Sequence, residues 1–297
     1  MVSIGLAQEP APPIAAAPAP TEVIAPIPKY EYQGKPIVLP FACTEDQLQQ
    51  AGLSCPESEP CPVFLELAGL ESWAGYLVLV GNLHSSAATF SSVLLLSDDN
   101  GKTWLEPHER IPQAVLEGAQ FADADSGWAG GQILTTLPRD PFFLVTTNGG
   151  KAWKRRPIYD DTRVAAIDSF YFESAKDGTL VVDLSRSGEP NQRSQMFETR
   201  TGGDSWMTRE VSNKPLPLKK TRQAAANLRL RADGPTKTYR VEHLQAGKWT
   251  PLAAFAVRLP DCQIGMKELQ PPPEPEPTPE PVKPSGPKTP PSLKKKQ

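Results

Sequence analysis

The chain has 297 residues, is 39% hydrophobic and carries a net charge of −3, with 34 prolines and four cysteines. It contains no apolar run of about eighteen residues, which excludes a transmembrane helix, and its near balance of charges excludes a uniformly basic nucleic-acid binder. The prolines are concentrated at the two ends, so only the middle has the core-forming side chains needed to fold.

Residues 1–29 begin with Met-Val-Ser-Ile-Gly-Leu-Ala, whose Gly5-Leu6-Ala7 ending resembles the last part of a secretory signal without its basic front half; an ordinary N-terminus is the competing reading. Pro and Ala dominate from there to Pro28, and a second Pro-rich stretch with a terminal lysine cluster fills residues 271–297. Both predict extended, disordered tails, because neither can offset its ordering entropy by burial. One domain is expected over residues 30–270.

Cys43, Cys55 and Cys61 precede the repeats described next, and Cys262 follows them. An even count suits two disulfides and an oxidising compartment, with the connectivity open; placement at both ends predicts that Cys262 bonds one of the other three. Spacings of 12 and 6 residues, with no nearby histidine, argue against zinc.

Short β-rich runs follow: FLELAGL from Phe64, YLVLVGNL from Tyr76 and SSVLLLS from Ser91. The last enters the turn SDDNGKTW, in which Ser97 and Asp99 can cap backbone N–H groups, Gly101 can take a positive φ, and Trp104 can anchor the outgoing strand, with Thr103 beside it. Two weaker copies follow. One holds Thr146, Asn148, Gly150 and Trp153, and the other Thr199, Thr201, Gly203 and Trp206. The tryptophans at 104, 153 and 206 are spaced for a repeat architecture, and a fourth unit retains only Gly247-Lys248-Trp249. Loss of the anionic oxygens from copy to copy argues for structural turns rather than Ca²⁺ sites.

These turns, with the SGWAGG stretch upstream of the second, resemble the Asp-box or BNR repeats of sialidases and sortilins and, most closely, the photosystem II assembly and stability factor family. The resemblance covers about two-thirds of the chain and implies an all-β propeller. Four blades are expected, or five if KPIVLPFAC and AVRLPDC complete another. It also implies an exported, non-catalytic factor that holds other proteins and has no cofactor of its own. A sialidase-like glycoside hydrolase is the enzyme alternative, resting on Arg110-Ile111-Pro112, which resembles that family's arginine motif but follows the first box instead of preceding it. A cell-envelope protein with a Pro-rich spacer is the third reading.

Fold alone licenses no chemistry. His84, His108 and His243 have no metal-ligand spacing, and no phosphate loop or nucleophile elbow occurs. Charge is more informative: fourteen acidic against three basic residues lie between Thr44 and Asp140, whereas eight basic residues and one acid lie between Lys214 and Arg240. Two readings compete. Either the first and last blades adjoin and neutralise each other, or Lys219, Lys220, Arg222, Arg229 and Arg231 meet an acidic protein partner.

Overall fold

A computed structural model describes residues 27–73, 75–220 and 225–262. The tails, except for residues 27–29, and Arg222 lie outside the described residues. Strand β1 (Lys29–Glu31) and helix α1 (Glu45–Ala51) precede the repeats. The helix is absent from the all-β expectation, yet its signal is local: Thr44 accepts the Gln47 N–H at 3.2 Å while the Gln47 side chain reaches back to the Thr44 N–H, a reciprocal cap. Gly52 closes it in the left-handed region.

The first blade consists of β2 (Cys61–Trp73), β3 (Tyr76–His84), β4 (Thr89–Ser97) and β5 (Thr103–Leu105). β6 (Ala114–Phe121), β7 (Gly127–Leu134), β8 (Pro138–Thr146) and β9 (Lys154–Pro157) make the second. The third is β10 (Ala166–Phe172), β11 (Gly178–Asp183), β12 (Ser194–Thr199) and β13 (Met207–Ser212). A fourth has three strands, β14 (Leu228–Asp233), β15 (Thr238–Gln245) and β16 (Lys248–Ala256), and is followed by β17 (Arg258–Cys262). Within each blade sequential strands pair antiparallel, the meander of a propeller blade.

The first strands of three blades carry a bulge at the same place, between Leu67 and Gly69, Leu116 and Gly118, and Ile167 and Ser169. Opposite the first two bulges the neighbouring strand needs glycine. A Cβ on Gly81 would lie 1.9 Å from the Glu66 carbonyl oxygen, and one on Gly131 would lie 2.1 Å from that of Val115.

Burial orders the blades. One apolar cluster joins Val241, Ala253 and Phe255 of the fourth blade to Leu79, Leu95 and Trp104 of the first. A second sets Val78, Val80, Leu94 and Leu96 of the first against Leu116, Phe142 and Trp153 of the second, and a third sets Trp128 and Phe143 against Phe172 and Leu180. The spatial order is therefore fourth, first, second, third. No apolar cluster joins the third blade to the fourth among the described residues.

The segments expected to complete a fifth blade instead bolt the fourth to the first. Ile37 bridges Phe255 in parallel, donating to the Ala254 carbonyl at 2.8 Å, and β17 pairs with β2. Cys43 bonds Cys262 across this seam, with Cα atoms 5.5 Å apart, and Cys55 bonds Cys61. Gly247-Lys248-Trp249 is likewise not a degenerate box. Ala246 and Gly247, both at positive φ, form the tight hairpin between β15 and β16, one strand earlier in the blade than the boxes.

Candidate binding face

Each box turn lies between the third and fourth strands of its blade and repeats one bonding pattern. The Gly101 N–H donates to Ser97 Oγ at 2.8 Å, the Gly150 N–H to Thr146 Oγ1 at 3.0 Å, and the Gly203 N–H to Thr199 Oγ1 at 3.0 Å. Asp99, Asn148 and Thr201 accept the N–H four residues on, from Thr103, Ala152 and Ser205. Trp104 and Trp153 each donate Nε1–H to the carbonyl of the box glycine, Gly101 or Gly150. In the third box Trp206 Nε1 has no partner among the described residues; Gly202 accepts from Trp128 of the preceding blade, at 2.8 Å. Burial pulls the Asp99 pKa upward, but hydrogen bonds from Thr103, Ser97 and Lys102 outweigh it and hold the carboxyl below its ordinary range. The boxes are fully used as turns, and no group of metal ligands occurs among the described residues.

Arg110, the residue behind the glycosidase reading, is occupied structurally. Its guanidinium binds both Glu106 oxygens, at 2.6 and 3.0 Å, and the Pro40 carbonyl at 2.7 Å, and Glu106 in turn accepts from the Tyr30 hydroxyl. These contacts fasten the N-terminal segment to the first blade. His84, His108 and His243 each meet a neighbouring carbonyl or Asn227.

What remains is the face by which each blade receives the next. The residue before each box, together with its cross-strand partner, forms this face: Leu96 with Val78, Val145 with Trp128, and Glu198 with Thr179. One step along it lie Leu94 with Val80, Phe143 with Gly130, and Met196 with Val181. In the first two blades these positions carry apolar side chains or glycine and receive the aromatic residues of the next blade: Phe121 and Trp153 on the first, Phe172 and Trp206 on the second. The third blade substitutes Glu198 and Thr179 and receives no blade among the described residues. Such polar substitution on the outer face is what a terminal repeat requires.

A cavity of about 590 Å³ opens on this face. Tyr171, Thr179, Met196 and Glu198 form one wall; Leu216 and Leu218, on a strap that leaves β13, form the other. Glu198 pairs with Arg209, and Lys220 at the end of the strap pairs with Glu173 at 2.6 Å.

The predicted basic residues divide accordingly. Lys219 and Lys220 line the cavity. Arg229 and Arg231 lie on β14, on the face of the fourth blade turned away from the first; Arg229 pairs with Glu242 at 2.6 Å and covers the Trp249 ring at 4.1 Å. Arg240 pairs with Asp233. The fourth blade thus neutralises much of its charge internally, and it meets the first through apolar side chains instead of by opposite charges. Sequence reading missed Tyr171, Met196, Glu198, Leu216 and Leu218 as site residues. The signal for Glu198 was present: it is the one charged residue among three that immediately precede a box.

The repeating four-stranded sheets, shared interblade cores and box hairpins define a β-propeller with one blade face left open. No protein-family profile matches the chain, and no curated protein matches it. The solved structures similar to it in part include two that share one protein name. One is described as YCF48 bound to D1 peptide, with TM-score 0.36 and 16% identity, covering 65% of this chain and 56% of that one. The other is YCF48 from Cyanidioschyzon merolae, with TM-score 0.35 and 17% identity, covering 65% and 57%. The match spans little more than half the length of either solved chain. Two disulfides, and no helix among the described residues long and apolar enough to cross a membrane, are compatible with export.

Proposed function

We propose that the protein is an exported, non-catalytic scaffold that holds a segment of another protein against the open face of its third blade. The observation that carries this reading is the cavity between β10 to β12 and the strap, which lies where each preceding blade accepts its neighbour. That position supplies an apolar floor with polar orienting groups, the usual composition of a binding groove. The box motifs resemble those of the photosystem II assembly and stability factor family, whose work is of this kind.

An acidic partner fits the strap lysines poorly, because Lys220 is already paired with Glu173 and Glu198 lies on the opposite wall. With the strap in place the groove's charges balance, so it favours a segment that supplies an apolar side chain and no strong net charge. The test is co-purification from the native host with the wild-type chain and with Met196→Asp. Loss of the co-purifying protein at an unchanged melting temperature supports the reading, and equal capture by both overturns it.

A further inference from the structure

The strap that borders the groove repeats, in miniature, the end of the chain. It reads Pro215-Leu216-Pro217-Leu218-Lys219-Lys220, and residues 290–295 read Pro290-Pro291-Ser292-Leu293-Lys294-Lys295, with Lys296 to follow. Pro215 aligns with Pro290, Leu218 with Leu293, and both lysines with lysines. We infer that residues 290–296 of the same chain exchange with the strap on the third blade, so that the C-terminus is a built-in competitor for the groove. This rests on the groove but not on the existence of a foreign partner.

Three observations support the exchange. The strap is held lightly: Leu216 and Leu218 are only half-buried, the Lys220 to Glu173 pair is exposed on both sides, and no backbone hydrogen bond ties residues 215–220 to the sheet among the described residues. An exposed pair of this kind is worth little. Charge is the second. The blade contributes Glu173, Asp177, Glu198 and Glu210 to the cavity against Arg200 and Arg209, an excess of two acids that the strap's two lysines offset. Any replacement must bring comparable positive charge, and Lys294, Lys295 and Lys296 do. Reach is the third. Between Cys262 and Pro290 lie 27 residues, which at the rise of a proline-rich chain can span on the order of 85 Å, whereas a domain of this size measures roughly 45 Å across. The tail can therefore reach the groove from the disulfide seam.

Zero-length carbodiimide coupling on the full-length protein tests this, since the reagent joins a lysine amine to a carboxylate only where the two touch. Peptide mapping on an equal mixture of isotopically light and heavy chains is expected to show Lys294, Lys295 or Lys296 coupled to Glu173, Glu198 or Glu210 within one copy. In Leu293→Asp the yield should fall at least about tenfold, the scale set by burying one leucine, while Lys220 to Glu173 coupling rises. Groove carboxylates coupled only to Lys219 and Lys220 would overturn the inference. So would tail links joining light to heavy chains, which would assign the groove to a second copy. Neither result touches the capture experiment with Met196→Asp, which stands or falls on a foreign protein alone.

Discussion

Gln120 and Phe172 hold the second and third blades together through a paired amide contact. The Gln120 side chain donates to the Phe172 carbonyl at 2.6 Å and accepts the Phe172 N–H at 2.9 Å, and Gln120 is only 2% exposed. Both backbone groups belong to the last residue of β10, where no ladder partner lies on that side. Replacing Gln120 with Leu strands a buried donor and a buried acceptor, each at a cost of about 1 to 3 kcal/mol. Gln120→Leu is expected to lower the chemical-denaturation midpoint accordingly, with loss of protection at the Phe172 amide in hydrogen exchange. Gln120→Glu keeps the acceptor and should restore part of that protection.

Acid should act through the first box before the other two. Asp99 is the only carboxylate at its position among the three copies, and its pKa lies below the ordinary 3.8. A depressed folded-state pKa means that its contribution is fully present above the ordinary value and is lost as pH falls through the folded one. Wild type should therefore lose melting temperature more steeply below about pH 4 than Asp99→Asn does. Thermal melts from neutral pH downward check this, and parallel curves for the two proteins would contradict it.

The parts of this fold that were legible in the sequence are those fixed by local chemistry. Ser97, Thr146 and Thr199 each cap their own turn within four residues, so the hairpins, their strands and the blade spacing could all be read in advance. The contacts that were missed connect distant segments. Ile37 finds Phe255 and Lys220 finds Glu173 only after the blades are stacked, and no pattern within a window shows this; a bond from Cys262 to one of the three earlier cysteines was expected, and the stacking selects Cys43. Gly247-Lys248-Trp249 misled for the opposite reason: a two-residue hairpin and a box share Gly and Trp because both need a positive φ and an anchored exit strand. The open face could have been read. Glu198 occupies the position held by Leu96 and Val145, and one charge where a repeat demands an apolar residue marks the end of a stack.

Reduction should separate the two disulfides by their effect. The Cys43 to Cys262 bond spans 219 residues and ties the entry of the fold to its last strand, whereas Cys55 to Cys61 spans 6. In the chain-entropy description the long closure contributes on the order of 5 kcal/mol and the short one considerably less. Cys43→Ser with Cys262→Ser is expected to lower the denaturation midpoint sharply and to free the fourth blade first, seen as early hydrogen exchange in β15 and β16. Cys55→Ser with Cys61→Ser should leave those strands protected.

Alkali should release the N-terminal strand. The Tyr30 hydroxyl donates to Glu106 at 3.0 Å, and Tyr30 pairs in register with Trp104 across β1 and β5. Burial, followed by the Glu106 charge, pushes the phenol well above its ordinary value of 10.0, although Arg110 works in the opposite direction. Because the folded-state value is raised, the phenol's contribution is complete below the ordinary value and declines as pH rises from about 10 toward the folded one. At pH 8 Tyr30→Phe lacks the charge-assisted bond and should be less stable by about 1.5 to 3 kcal/mol before allowance for partial exposure. Above about pH 10 wild type loses this advantage while the phenylalanine variant has nothing there to titrate, so the gap between their urea midpoints should narrow. The absence of any gap from pH 8 to 11 would show that Tyr30 stabilises the strand by packing alone, and that the Glu106 and Arg110 cluster holds the N-terminal segment without its hydroxyl.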